Sequence, residues 1–571
     1  MCGIGGVYSF SDQLVKEDDI NTLNRMKNFM HLRGPDASDT KIFKNVGLIH
    51  TRLSIMDPAP RSTQPMESNS WILSFNGEII NFIALRTELK KHHDFETNSD
   101  TEVLLYALET WGVEKTLHRV AGMFAFLAYN KATGVLIAAR DQLGIKPLYY
   151  HKQLDKSVWF ASTPATIIES LSTNEWRENS GAIGSFFALG APFTLESTTS
   201  GVMQIPPATY MTIEPDATIS FNTYWAPEYQ TNFTMDDLLS VVSEYKISDV
   251  KSALFMSGGI DSTFLASALK SMDFFHIDSP ERNYAQKVAR KYNSPLVVVR
   301  PDPDDYVKGL ETVCKTFGEP LMSCGIPYSV SNEANKRGYK MAISANGADE
   351  LFFGYPRTPL GTSQNVLPKF EDYSNLWFSE QVGHIFRDKR HFNISEYQSD
   401  IPSLLEVGQS ILKSCRLDNF PKSASYRWLE LMTYVLNDLN PTLDAASMAN
   451  SLEVRVPFLD HRVVQGILSW PTDKLCTKEF GRKSPLKAHL NRDFNRTFLN
   501  RPKLGFSIDK RILSNIQTKT ENVFSTYLDN KFIQFNNKPF SAYYERDKIY
   551  LKSIMHIFSI WKSQTNHIKQ S

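Results

Sequence analysis

Apolar and polar positions along the chain follow two different rhythms. Up to about residue 225, short apolar stretches of strand length are punctuated by turn residues, with few helical patterns between them. Met1 to Ser9 reads as a strand whose glycines sit where the backbone must come close to something else. His50 to Ile55 reads as a strand carrying Arg52, and Gly122 to Phe126 and Val135 to Asp141 as further half-buried strands. Trp71 to Ile80 has strand character until Asn76-Gly77-Glu78 interrupts it. Ser99-Asp100-Thr101-Glu102 opens a helix running to about Trp111, with Ser99 or Asp100 as N-cap. The pattern predicts a strand-rich sandwich with a few helices.

The rhythm changes across 180–235, where Pro192, Pro206, Pro207 and Pro227 separate short apolar stretches; a boundary near 226 is expected. From about 240 onward strands alternate with helical stretches. Ala253 to Met256, Phe274 to Ile277, Leu296 to Val299 and Met341 to Ile343 have the apolar character of strands covered on both faces. This predicts an α/β doubly wound parallel sheet with its ligand outside the carboxyl ends of the strands. Two loops lie at such ends. Ser257-Gly258-Gly259-Ile260-Asp261-Ser262 follows the first strand and opens a helix marked by Leu265, Leu269 and Met272, while Ser344 to Glu350 follows the fourth. Neighbouring strands would merge the two loops into one pocket.

A glycine-rich turn opening a helix is an anion cradle, because its backbone N–H groups and the helix dipole point at the bound oxyanion. An ordinary strand-to-helix turn has the same composition. The chain has no Gly-Lys dipeptide, which excludes the Walker loop and suits pyrophosphate that is released better than a phosphoryl group that is transferred.

Composition narrows the partners. The 571 residues are enough for several domains, and 62 basic residues balance 62 acidic ones, so neither nucleic acid nor an anionic membrane surface is the default partner. No apolar run reaches the ~18 residues of a membrane span, and the expectation is a cytoplasmic protein. Cys2, Cys314, Cys324, Cys415 and Cys476 form no metal-ligand spacing and read as reduced thiols. Cys2 stands apart. Trimming of the initiator methionine would leave it with a thiol and a free α-amine on one residue, and an N-terminal nucleophile can use its own amine as base. The Asn76 amide beside the Gly77 N–H is then a candidate oxyanion hole.

Taken in order, MCGIGGVYS, RGPD, RLSIMD, FNGEI, SDTEV, GMFAF and RDQLGIKPLYY resemble the glutaminase domain of glutamine-dependent asparagine synthetases. The later SGGIDS, ADELFFGYP, SMANSLEVRVPFLD and RPKLGF resemble the second domain of the same family. The resemblance implies an α+β N-terminal-nucleophile sandwich over 1–225, a class II glutamine amidotransferase, joined to an ATP pyrophosphatase domain over 226–571. It also implies that the crossing segment packs on the glutaminase sheet through Trp225.

Carried over by position, Cys2 attacks the glutamine amide, Asn76 and Gly77 hold the oxyanion, Arg52 grips the α-carboxylate, and Glu78 and Asp100 hold the α-ammonium. Ser257, Gly258, Gly259, Asp261 and Ser262 hold ATP phosphates, with Ser344, Gly347 and Glu281 also at the nucleotide. Asp261 and Asp349 hold Mg2+. Asn346 and Asp444 line the acceptor pocket, and Lys503, with Lys487 as the rival position, stabilises charge at the adenylate.

Departures from the family pattern are visible. Leu32 replaces a histidine, Thr163 a glutamate, Glu281 an aspartate and Asn346 an acid; Met322-Ser323 stands where one branch has an arginine. An asparagine accepts a hydrogen bond but takes no proton at neutral pH, so Asn346 weakens aspartate as acceptor. Three functions follow: amidation of aspartate, amidation of another carboxylate such as a sugar uronic acid or natural-product acid, or a non-catalytic nucleotide or glutamine sensor. The intact nucleophile set argues against a sensor. A homodimer stays open.

Overall fold

A computed structural model describes residues 2–10, 14–154, 156–171, 176–355, 392–394, 417, 419–502, 533–535 and 552–563. Two six-stranded antiparallel sheets form the N-terminal part. One has the order β10 (Val202–Gln204), β8 (Tyr149–Gln153), β9 (Ser157–Ala161), β1 (Gly3–Ser9), β3 (Val46–Arg52), β2 (Ala37–Phe43). The other runs β12 (Ile219–Thr223), β11 (Thr209–Ile213), β7 (Leu136–Arg140), β6 (Gly122–Asn130), β5 (Trp71–Ile79), β4 (Met66–Glu67). Alternation along the strands explains the layers. Ile4 and Tyr8 of β1 meet Ile72, Leu127 and Met211 in the core between the sheets, while Val7 faces outward against Leu23 and Met26 of the helix Glu17–Phe29. The helices Phe82–Leu89 and Asp100–Trp111 cover the outer face of the second sheet over Leu73, Phe75, Phe124 and Phe126. The sequence reading had β5 interrupted at Asn76-Gly77-Glu78, but the strand continues through all three, Gly77 pairing with Phe124. Gly77 makes this possible: at φ 152° it lets the Met123 carbonyl approach within 2.1 Å of where a Cβ would stand. The strand expected from His50 to Ile55 stops at Arg52.

The second part is a parallel sheet in the order β15 (Leu296–Val299), β14 (Asp273–Ile277), β13 (Ser252–Phe255), β16 (Met341–Ile343), β18 (Glu453–Arg455). A separate pair joins β17 (Phe392–Ile394) to Ile533–Phe535. Chain order reverses between β13 and β16, which places the switch point, and hence the crevice, where the Ser257 and Ser344 loops emerge side by side. The edge strand β18 was not anticipated from the sequence. A nine-residue π-helix, Leu431–Leu439, leads into the helix Asn440–Met448 beside it.

The two parts share extensive contacts. Strands β11 and β12 extend the second sandwich sheet, but Trp225 also turns to the other side, its ring 6.2 Å from that of Trp428 and 5.9 Å from that of His461. Trp225 also packs, as expected, against the core over the second sandwich sheet. Lys340 pairs with Asp36 at 2.7 Å, and Leu32 and Thr163, two of the departures, line one crevice with Ala445 and Met448.

Candidate active site

The first site gathers at the sandwich edge nearest the parallel sheet. Cys2, Arg52, Gly77, Glu78 and Asp100 line one cavity of about 30 Å³, together with Ser62, Gln64, Ser99 and Glu453. Cys2 is 8% exposed, and burial pushes its thiol up. Its backbone N–H donates to Asn76 Oδ1 at 2.8 Å, which leaves the Asn76 Nδ2 group buried without a hydrogen-bond partner. A free donor on an amide tied to the Cys2 backbone is what a developing oxyanion requires.

The first residue past the N-cap of Asp100–Trp111 is Asp100, and Ser99 caps that helix through the Thr101 N–H. Asp100 Oδ2 accepts from the Ile79 N–H at 2.9 Å, yet burial raises its pKa to about 6. Arg52 donates to the carbonyls of Ala59, Met56 and Asp57 at 2.9, 3.2 and 2.6 Å, so the loop after β3 aims its guanidinium. Glu78 has one oxygen held by Arg455 at 2.6 Å, while Oε1 is buried and unpartnered. Two acids and one arginine around a thiol suit an amino acid's ammonium and carboxylate.

The second site occupies the switch point. Gly258 takes φ 88°, and a Cβ there would stand 2.8 Å from the Glu281 carbonyl, so Glu281 closes directly over the turn. Ser257 Oγ accepts from the Gly259 N–H at 3.1 Å and lies 2.9 Å from Ser262 Oγ. Arg501 donates to the Gly258 carbonyl and lies over the Tyr284 ring at 4.3 Å. Across the crevice the Ser344 hydroxyl donates to Asn346 Oδ1 at 2.8 Å, and Gly347 caps the helix Ala348–Leu351 with φ 89°.

A residue missed by the sequence reading joins the two loops. Lys483 Nζ lies 2.5 Å from Asp261 Oδ2 and 2.5 Å from Asp349 Oδ1, bringing both acids to one point. Burial would pull this ammonium down, but the two carboxylates outweigh it and hold it above its ordinary value. Nothing in GRKSPLK distinguishes this lysine from a surface one. Lys487 instead donates to the Phe480 carbonyl at 2.7 Å, and Lys503 lies outside the described residues.

Asp444 is engaged at the boundary between the two parts. Both its ion-pair partners belong to the sandwich: Arg33 at 2.8 Å, itself bonded to the Cys2 carbonyl, and Lys146 at 4.0 Å. The helix Asn440–Met448 carries it against the sandwich part. Among the described residues no group of three or more metal-ligating side chains occurs, and no helix is long and apolar enough to cross a membrane.

Comparison with known proteins matches both halves. A family profile described as glutamine amidotransferase domain covers residues 1–225, and one described as asparagine synthase covers residues 236–551. The class is thus a glutaminase domain fused to an asparagine synthase domain. Glutamine-hydrolyzing asparagine synthetase 1 of Bacillus subtilis is 31% identical over 90% of this chain and 87% of its own length. Putative glutamine-hydrolyzing asparagine synthetase 1 of Methanocaldococcus jannaschii is 27% identical over 94% of each chain. The chain belongs to the glutamine-hydrolysing asparagine synthetase family, a family of ligases.

Proposed function

We propose that the protein transfers the amide nitrogen of glutamine to aspartate in an ATP-dependent reaction. Glutamine enters the first cavity with its carboxylate on Arg52 and its ammonium between Glu78 and Asp100. With Met1 removed, the Cys2 amine takes the thiol proton and Sγ attacks the amide carbon. Asn76 Nδ2 and the Gly77 N–H stabilise the oxyanion. The C–N bond breaks, ammonia leaves carrying that proton, and water then hydrolyses the thioester to glutamate. The observation that carries this half is the buried, partnerless Asn76 Nδ2 beside Cys2.

In the second site the acceptor carboxylate attacks the α-phosphorus of ATP, and pyrophosphate leaves into the Ser257–Ser262 cradle. Ammonia attacks the acyl carbon of the adenylate and AMP departs. Lys483 places a positive charge where phosphate charge develops. Asp261 and Asp349 fit Mg2+, since that ion takes one or two carboxylates and completes its shell with phosphate oxygens and water. Asp261 Oδ1 is without a partner, which leaves it free for such a ligand. Bound there, Mg2+ would neutralise phosphate charge.

A second reading, amidation of another carboxylate, rests on one observation: Asn346 is held as an acceptor by the Ser344 hydroxyl and offers no base. Pyrophosphate release with ammonia and MgATP, measured over a panel of acids, separates the two. Aspartate is expected to give the highest kcat/KM. Release on a different acid, with none on aspartate, sinks the aspartate reading.

A further inference from the structure

The cavity around Cys2 is not built by the sandwich alone. Glu453 belongs to β18 of the parallel sheet, yet it lines that cavity. Two residues on, and so on the same side of the strand, Arg455 is 0% exposed and sends one donor across the boundary. Nη2 reaches Glu78 Oε2 at 2.6 Å, Nε reaches Glu453 Oε1 at 2.6 Å, and Nη1 reaches the Ile247 carbonyl at 2.6 Å. One Glu78 oxygen is therefore pinned, while the other is buried, partnerless and part of a residue that lines the cavity.

We infer that Arg455 is a positioning residue for glutamine: from the parallel sheet it fixes Glu78 in the orientation that receives the substrate's α-ammonium. The inference rests on the glutaminase reading of Cys2. Burial pushes the Glu78 carboxyl well above its ordinary range, and Arg455 is the strongest influence pulling it back. Without the guanidinium, Glu78 Oε2 loses the bond that pins it and the side chain is free to turn away from the ammonium position. The glutamine site is then composite, complete only when β18 is docked against β5. The Arg455 backbone is engaged as well, its carbonyl accepting from the Ser344 N–H at 2.8 Å, so strand and loop hold each other in register.

The test uses the full-length enzyme and glutamate formation from glutamine. Arg455→Met is expected to raise KM for glutamine about tenfold or more while kcat changes much less, since removing one member of a buried pair acts on binding. Arg455→Lys, which keeps the charge and is the milder change to the fold, recovers part of that loss. In a Glu78→Gln background the Arg455→Met change adds no further rise in KM, because the carboxylate it orients is already gone. An unchanged KM in either Arg455 variant overturns the inference, and so do additive effects in the double variant. A wild-type enzyme that forms no glutamate overturns the Cys2 reading as well, whereas normal wild-type turnover with unshifted variants overturns only the role of Arg455.

Discussion

Cys2 presents a thiol that burial disfavours as a thiolate, so its reactivity depends on a base rather than on a depressed pKa. Cys2→Ala should lower glutamate formation by at least about 10³-fold, with the ratio of glutamine-driven to ammonia-driven turnover collapsing in parallel. Asp100 gives the same site a pH signature. Its carboxyl titrates near 6, above the free value, so it is charged above that pH and neutral below it. Since only the carboxylate binds an ammonium, KM for glutamine should climb about tenfold per pH unit below 6. A KM flat from pH 7 to 5 would contradict this. Lys483→Met should cut pyrophosphate release by about 10²- to 10³-fold while glutamate formation continues. Lys483 was illegible in the sequence for a physical reason: it stands 222 residues from Asp261, and only folding brings the two charges together. Cys2, Asn76 and the Ser257 loop were legible because each carries its chemistry within a few consecutive residues.

Elements differ in how much their residues disclose. The four strands ending at the nucleotide crevice were readable because buried parallel strands are continuous apolar runs. The fifth, Glu453–Arg455, places two charged residues in three, and a pattern of burial cannot be seen where the buried groups are ionic. Their charges are absorbed by each other and by Glu78 across the domain boundary. The interruption expected in β5 failed for a related reason. A glycine usually weakens a strand, but here Gly77 admits the Met123 carbonyl and keeps the ladder intact. Gly77→Ala should therefore destabilise the sandwich by about 2 kcal/mol or more, since the new methyl meets backbone that cannot yield. Thermal unfolding of the variant would show its midpoint lowered by several degrees, and an unchanged midpoint would contradict the close approach.

At the scale of the whole molecule, the two sites are joined by charges contributed from both parts. Arg33 links the Cys2 carbonyl to Asp444, and Arg455 links Glu78 to β18. The sequence assigned Asp444 to the acceptor side because its neighbours matched a family segment. The structure pairs it with Arg33 and Lys146 of the sandwich, contacts that no single stretch of chain specifies. Two departures, Leu32 and Thr163, both from the sandwich part, line the same crevice at this boundary, so the two changes from polar to less polar fall together. The central claim is that one chain moves nitrogen from glutamine onto an adenylated acid. Glutamine labelled with 15N at its side-chain amide, supplied with MgATP and aspartate, tests it directly. The expected product is asparagine carrying 15N in its amide, formed together with equal amounts of AMP and pyrophosphate. Glutamate formation with all of the 15N left as free ammonia, and no AMP or pyrophosphate, would contradict it.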